Sequence, residues 1–144
     1  MSFILEISGD LACFTRPELK VERISYPVIT PSAARNILAA ILWKPAIRWK
    51  VLQIEILKPI QWVNIRRNEV GIKMSERSQG LYIEDSRQQR ASMLLRDVAY
   101  RIYADFEMTD QAGEGDNRTK FVEMFKRRAA KGQYFHQPYA LACR

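Results

Sequence analysis

DNRTKFVEMFKRRAAKGQYFHQPYALACR, the stretch Asp116–Arg144, encodes a helix followed by an extended tail. Either Asp116 or Asn117 can cap the helix by accepting a hydrogen bond from a first-turn N–H, and Gly132 can end it in the left-handed conformation that glycine adopts most easily. Four apolar residues share one face at the helical period, namely Phe121, Met124, Phe125 and Ala129. The stretch therefore predicts a helix over about 117–131.

The other face of this helix is strongly basic. Its one acid is Glu123, and its cations are Arg118, Lys120, Lys126, Arg127, Arg128 and Lys131. The helix thus carries a net +5 of the chain's formal +7. A large polyanion is the expected partner of such a face. The alternative is a solvated basic face that lies on an ordinary core.

Outward from the helix, period-2 alternation predicts strands. The clearest is Val98–Met108, where apolar residues occupy every even position. The N-terminal run Phe3–Ser8 alternates in the same way, and Gly9-Asp10 is expected to end it. A third strand over 46–57 changes phase midway, which is typical of a β-bulge. Before it, Thr30-Pro31 starts a helix that runs to about residue 42.

These elements occur in the order strand, helix, strand, excursion, strand, helix, strand. The order predicts an α+β protein, a single ferredoxin-like βαββαβ domain over 1–144. The excursion, 60–97, is predicted to be a mobile, thumb-like hairpin inserted between the second and third core strands. Its return strand is expected at Leu81–Ile83, followed by an irregular polar tail through Ser86–Arg90.

Composition excludes several classes of protein. The chain has 144 residues and is 47% hydrophobic, enough for one domain with its own core. Cys13 and Cys143 fall in no metal or redox spacing, and His136 is the single histidine, so we expect no metal, no cofactor and reduced thiols in a cytoplasmic protein. No stretch has the pattern of a signal peptide or the length of a membrane span.

A sequence pI near 9.6 favours nucleic acid as the partner. RNA is the first expectation, and non-specific DNA binding is the second. Residues 11–29 interleave cations with rings, a pattern suited to phosphate and base contact. The sequence contains no P-loop, no dinucleotide-binding turn and no nucleophile elbow. The candidate RNA-binding residues are Arg16, Lys20, Arg23, Tyr26, Arg35, Trp43, Lys44, Arg66, Arg67, Arg118, Lys126, Arg127 and Arg128.

Four stretches together resemble a known family. They are GDLACFTRPELKVERISYPVITPSAARNILAAILWKPAIRW at 9–49, LKPIQWVNIRRNEV at 57–70, DSRQQRASMLLRDVAY at 85–100 and DNRTKFVEMFKRRAAKGQYFHQPY at 116–139. The sequence is similar to the type I-C CRISPR-associated proteins of the Cas-five family, in the RAMP superfamily. The resemblance implies a subunit that binds the 5′ handle of CRISPR RNA beside the backbone and large subunits of the Cascade interference complex. It also implies a metal-independent endoribonuclease that trims the precursor RNA.

The resemblance places a catalytic tyrosine at position 42, a lysine at 120 and a histidine at 121. Here these residues are Leu42, Lys120 and Phe121, so only the lysine matches. Other proton-transfer groups would have to replace the missing two, and the candidates are Tyr26, Tyr134 and His136. Two hypotheses stay open, a metal-independent endoribonuclease and a non-cutting handle-binding subunit. The family also continues beyond residue 144, so the fourth core strand is expected to be incomplete.

Overall fold

A computed structural model describes residues 2–19, 21–73, 75–77, 79–80 and 82–136, together with the backbone of 142–143. The described elements comprise both strands and helices and confirm the α+β prediction. In chain order they are β1 (Phe3–Ala12), β2 (Arg23–Ile24), α1 (Pro31–Ile41), β3 (Ile47–Ile56), β4 (Trp62–Val70), α2 (Ile83–Ser86), β5 (Arg87–Met108), α3 (Arg118–Ala130) and β6 (Ala142–Cys143).

Strand β5 is the axis of the sheet. Its 22 residues span roughly 70 Å at about 3.3 Å per residue. On one side β5 pairs with β1 antiparallel and with the short β2 parallel, and β6 lies on the outer edge of β1. On the other side, residues 100–108 of β5 pair with β3 and residues 87–95 pair with β4, both antiparallel.

Strands β3 and β4 follow one another along the same edge of β5. Between them, the Leu57 N–H donates to the Ala99 carbonyl at 2.9 Å, and the Arg96 N–H donates to the Gln61 carbonyl at 2.8 Å. Residues 47–70 and 87–108 therefore form one long antiparallel ribbon. We call its outer part, β4 with Arg87–Leu95, the distal hairpin.

Two details of the predicted excursion were wrong. The return strand does not lie at residues 82–83, because Ile83 begins the short helix α2 and Leu81 lies outside the described residues. The tail predicted to be irregular is, from Arg87 onward, regular strand, because each of its residues has a partner in β4. Strand β1 likewise continues past Gly9-Asp10 to Ala12, which pairs with Leu95.

The predicted bulge is confirmed. The register of β3 against β5 shifts between Val51 and Gln53, at the place where the hydrophobic phase changes. A second irregularity is Asp97 in β5, whose φ of 50° lies in the left-handed region. From Tyr100 to Phe106 the buried residues of β5 occupy even positions, whereas both Leu94 and Leu95 are buried before Asp97.

Both long helices begin as predicted. The Thr30 side chain accepts a hydrogen bond from the Ala33 N–H, and Pro31 occupies the first turn of α1. Asn117 accepts from the Lys120 N–H at the start of α3. After α3, Gly132 adopts a φ of 63°, so the local end signal was also correct.

The carbonyls at the C-terminal end of α1 accept hydrogen bonds from distant residues. Ala40 accepts from the Phe135 N–H at 2.7 Å, and Ile41 accepts from Arg128 Nη1 at 3.2 Å. Leu42 accepts from Trp49 Nε1 at 2.8 Å. Such carbonyls lack partners within the helix itself, so these bonds fix β3, α3 and the tail around the end of α1.

One face of the sheet packs against α1 and α3 in a core rich in aromatic rings. The Phe3 centroid lies 5.5 Å from that of Trp49, 5.6 Å from that of Phe106 and 5.0 Å from that of Phe125. The opposite face carries ion pairs, including Arg101 with Glu6. In the described part of the chain, no helix is long and apolar enough to cross a bilayer.

Candidate nucleic-acid interface

Two adjoining cavities lie beside the C-terminal half of α1. Their volumes are about 820 and 520 Å³, and they share Asn36, Ala39 and Trp43. The larger is completed by Arg128 and the tail residues Phe135 and His136, and the smaller by residues that include Arg35, Lys44 and Arg48. We call the two cavities together the α1 surface.

The end of α1 explains why consecutive residues point in opposite directions. Leu42 is the C-cap of the helix, with extended backbone angles, and its side chain is completely buried. Trp43 follows outside the helix and is 66% exposed. The hydrogen bond from Trp49 to the Leu42 carbonyl holds this turn in place. A large ring is thus presented to solvent on a fixed backbone.

The α1 surface is electropositive. Among the described lining residues of the smaller cavity are three cations, Arg35, Lys44 and Arg48, and one acid, Asp110. Arg128 adds a positive charge to the larger cavity while it binds the Ile41 carbonyl. Of the predicted RNA-binding residues, the structure therefore brings together Arg35, Trp43, Lys44 and Arg128.

Lys120 lies in the first turn of α3. Its Nζ is 2.9 Å from Asp116 Oδ1, and its side chain is about half exposed. The hydrogen bonds from Lys120 and from the Gly113 N–H hold the pKa of Asp116 below its ordinary value. The charge of Lys44 also contributes to this lowering.

The other two positions of the expected catalytic set are buried. Leu42 is 0% and Phe121 only 2% exposed, and both belong to the main core. The Phe121 ring packs edge-on against Phe106, with centroids 6.4 Å apart. Position 121 is therefore occupied by a core ring and not by a residue at the mouth of a groove. The Lys120 ammonium lies 5.8 Å from the centre of the Phe121 ring.

The candidate replacements for the missing groups lie in different places. His136 is exposed and lines the larger cavity, and Tyr134 is 41% exposed two residues before it in the same tail. Tyr26 lies elsewhere, with the Arg16 guanidinium 5.1 Å from the centre of its ring. The structure therefore associates His136 with the α1 surface and Tyr26 with the neighbourhood of β2.

A second group of cations surrounds Glu69 on the distal hairpin. Arg90 Nη1 lies 3.2 Å, Arg67 Nη2 3.5 Å and Arg23 Nη2 4.0 Å from its carboxylate oxygens. We call these three arginines the distal arginine cluster. Arg23 and Arg67 were predicted to bind RNA, but Arg90 was missed. The register could have revealed it, because Arg67 and Arg90 are directly opposite across β4 and β5.

Arg118 is held within the fold. Its Nη1 donates to the Phe106 carbonyl at 2.6 Å, its Nη2 binds Asp105, and its guanidinium lies 4.8 Å from the centre of the Phe106 ring. Burial raises the pKa of Asp105, but the Phe106 N–H and Arg118 outweigh it, so the net shift is downward. These contacts tie the start of α3 to β5.

The remaining predicted cations are dispersed. Lys126 and Arg127 are exposed on α3, and Arg66 is exposed next to Arg67 in β4, where alternation directs it to the opposite face. Lys20 lies outside the described residues. Within the described ranges, no three His, Cys, Asp or Glu residues cluster in a way that could hold a metal ion.

Comparisons with known proteins place this geometry in a family. A family model described as CRISPR-associated protein (Cas_Cas5), Cas_Cas5d, matches residues 2–144. A protein of Mannheimia succiniciproducens named CRISPR pre-crRNA endoribonuclease Cas5d is 58% identical over 93% of this chain. Its namesake from Thermus thermophilus is 48% identical over 94% of this chain. This chain spans 65% and 57% of the lengths of these two relatives.

The fold agrees with a solved structure as well. A crystal structure described as that of a CRISPR-associated protein superposes with a TM-score of 0.69 at 22% identity, over 99% of this chain and 65% of that one. The match of the family model to nearly the whole sequence decides the assignment, and it agrees with the resemblance noted above. The chain belongs to the Cas_Cas5d family of CRISPR-associated proteins.

Proposed function

We propose that this protein binds the repeat RNA of CRISPR precursors and cleaves it without a metal ion. The observation that carries the proposal is the electropositive α1 surface, where Trp43 is exposed beside the cations Arg35, Lys44 and Arg48. These cations can contact the phosphates of an RNA backbone, and Lys120 of α3 is half exposed. The 58% and 48% identical relatives, both named pre-crRNA endoribonucleases, support the same activity.

The proposed reaction is an internal transesterification. The ribose 2′-oxygen attacks the adjacent phosphorus, the bond from phosphorus to the 5′-oxygen breaks, and the products carry a 2′,3′-cyclic phosphate and a 5′-hydroxyl. One proton leaves the 2′-hydroxyl and one is delivered to the 5′-oxygen. Lys120 stabilises the negative charge that develops on the phosphoryl oxygens. His136, or Tyr134 beside it, is the proton-transfer candidate nearest to the α1 surface in this structure.

A non-cutting handle-binding subunit is the second candidate. The observation that favours it is the burial of Leu42 and Phe121, apolar side chains at the two positions where the resemblance expects an acid and a base. Neither side chain can exchange a proton with RNA. Apolar residues at positions 42 and 121 would not affect binding through the α1 surface. The two candidate functions therefore predict different cleavage but the same affinity for RNA.

Cleavage in the presence of a chelator separates the two candidates. We expect the purified protein, incubated with labelled repeat RNA in EDTA, to give one product that ends in a 2′,3′-cyclic phosphate. The cyclic end is identified by its resistance to periodate and to phosphatase, and by its sensitivity to phosphatase once mild acid has opened the ring to a phosphomonoester. RNA that is bound and stays intact would instead assign the protein to the non-cutting class. Failure to bind repeat RNA at all would contradict both candidates.

We also propose the finer architecture. The order β6, β1, β5, β3 in an antiparallel sheet, with α1 and α3 contributing to one core, is that of a ferredoxin-like RAMP domain, and we assign 1–144 to one such domain. In the interference complex, the backbone and large subunits are the proposed neighbours. The distal hairpin extends beyond the part of the sheet packed on the helices, so we propose it as the thumb-like element that contacts RNA or a neighbouring subunit.

Salt dependence is expected to report the phosphate contacts. Removal of one cation–phosphate pair should lower the slope of log affinity against log salt by roughly 0.7 to 0.9. Arg35→Ala and Lys44→Ala should each produce this change in repeat-RNA titrations by fluorescence anisotropy. Lys58→Ala is the matched control, because Lys58 is also exposed but pairs with Asp97 and lines neither cavity of the α1 surface. A slope that is flat for the unmodified protein would contradict a phosphate-dominated interface.

A further inference from the structure

We propose that the larger cavity of the α1 surface binds one unstacked nucleobase of single-stranded RNA, with Trp43 and Phe135 as its stacking surfaces. This inference rests on the proposed RNA-binding function and goes beyond it, since it adds a base-binding pocket to an interface otherwise explained by phosphate contacts. The remaining residues that the argument uses are Asn36, Arg128 and His136.

The rings in this cavity are exposed although their backbone is fixed. Phe135 is 85% and Trp43 66% exposed. The Phe135 N–H is hydrogen-bonded to the Ala40 carbonyl at 2.7 Å, and the turn at Trp43 is held by Trp49. His136 packs edge-on against Phe135 at a centroid distance of 4.5 Å. Rings presented in this way resemble the platforms on which single-stranded nucleic acids stack their bases.

The volume and polarity of the cavity suit a nucleotide. About 820 Å³ lies within the range of small-ligand sites, roughly 300–1,000 Å³. Most of the lining is apolar, as a base face requires. Asn36 supplies an amide that can donate to and accept from the edge of a base. Arg128 binds the Ile41 carbonyl through Nη1, and its other N–H groups can reach a phosphate oxygen.

Charge complementarity selects RNA over an apolar protein segment as the occupant. The adjoining cavity carries Arg35, Lys44 and Arg48, so a chain that leaves the aromatic cavity passes directly over cations. A nucleotide satisfies both cavities at once, because its base is apolar on its faces and its phosphate is negative. An apolar helix or strand would provide no negative charge to pair with these cations, and it would remove water from some of them.

The test uses single-stranded octaadenylate, and the same strand in a duplex, as probes in fluorescence-anisotropy titrations. We expect Trp43→Ala to weaken single-strand binding by roughly 5- to 150-fold, since one base loses its stacking partner. Trp43→Phe should retain most of the affinity. Ile4→Ala is the matched control, because Ile4 is a large apolar side chain that is 60% exposed on β1, outside both the α1 surface and the distal hairpin. Duplex affinity should be the same for all four proteins, since paired bases cannot enter the cavity.

The outcomes separate this inference from the proposed function. If the unmodified protein cuts repeat RNA but Trp43→Ala binds single strands with unchanged affinity, the base pocket is refuted and the proposed function stands. If Trp43→Ala weakens single strand and duplex equally, the residue acts through general contact and the pocket is again refuted. If the unmodified protein binds neither probe nor repeat RNA, the proposed function itself fails. Displacement of bound octaadenylate by an apolar peptide would reassign the cavity to protein docking.

Discussion

Lys120→Ala is expected to slow repeat-RNA cleavage by about 10²- to 10³-fold, the usual effect of losing one group that stabilises transition-state charge. Its effect on RNA affinity should be small, because Lys44 and the other cations of the α1 surface remain. Its effect on stability should also be small, since the Lys120–Asp116 pair is a half-exposed surface ion pair. The measurement is a single-turnover rate at saturating protein, in EDTA.

The matched control for this experiment is Lys58→Ala. Lys58 is a half-exposed lysine that also forms an ion pair, with Asp97 at 2.7 Å, but it lines neither cavity of the α1 surface. We expect its cleavage rate to stay within about twofold of the unmodified protein. A Lys120→Ala rate as high as that of the control would remove Lys120 from the mechanism. Catalysis would then depend on His136 or on residues outside this surface.

Phe121→Ala is expected to lower the free energy of unfolding by about 3–5 kcal/mol, the typical cost of removing a fully buried aromatic ring. The ring is 2% exposed and packs against Phe106, so its removal leaves a cavity between α3 and the sheet. Urea denaturation followed by circular dichroism measures the change. Phe135→Ala, at a ring that is 85% exposed, should alter stability by less than about 0.5 kcal/mol.

Replacing Phe121 with the histidine that the resemblance implies is expected to give no gain in cleavage, because position 121 is buried. A histidine at the Phe121 position would be buried among rings, where its neutral form is favoured and its pKa falls below the value in the unfolded chain. The unfolded state then binds more protons, so the stability of Phe121→His should decrease further as the pH falls below about 6.5. With Leu42→Tyr added, we expect lower stability and no faster cleavage. Faster cleavage at unchanged stability would show that position 121 reaches the RNA.

Local signals in the sequence predicted the elements well. The Thr30-Pro31 start, the Asn117 cap and the Gly132 end are all properties of a few adjacent residues, and all three are present in the structure. The bulge near Val51 was visible because the hydrophobic phase changes there. Each of these features is decided within one turn or a few strand residues, which is the range over which periodicity and capping act.

Features that depend on distant partners were missed. Arg87–Arg90 has a polar, irregular sequence and is strand only because β4 pairs with it. The role of Arg118 in binding Asp105 and Phe106 could not be deduced from a helix that reads as uniformly basic. The family resemblance implied a tyrosine and a histidine at the positions of Leu42 and Phe121, but it could not reveal that both side chains are buried in the core.

The end of α1 has a consequence for how the chain folds. The Ile41 carbonyl receives its partner from Arg128, 87 residues later in the chain, and the Ala40 carbonyl receives its partner from Phe135. Strand β1 pairs with β5, which is also distant in sequence. During synthesis, the first helix and strand therefore leave the ribosome before the residues that pair with β1 and with the Ile41 carbonyl have been made. Such non-local pairing slows folding relative to helical proteins of similar length and makes the nascent N-terminal part a candidate substrate for chaperones.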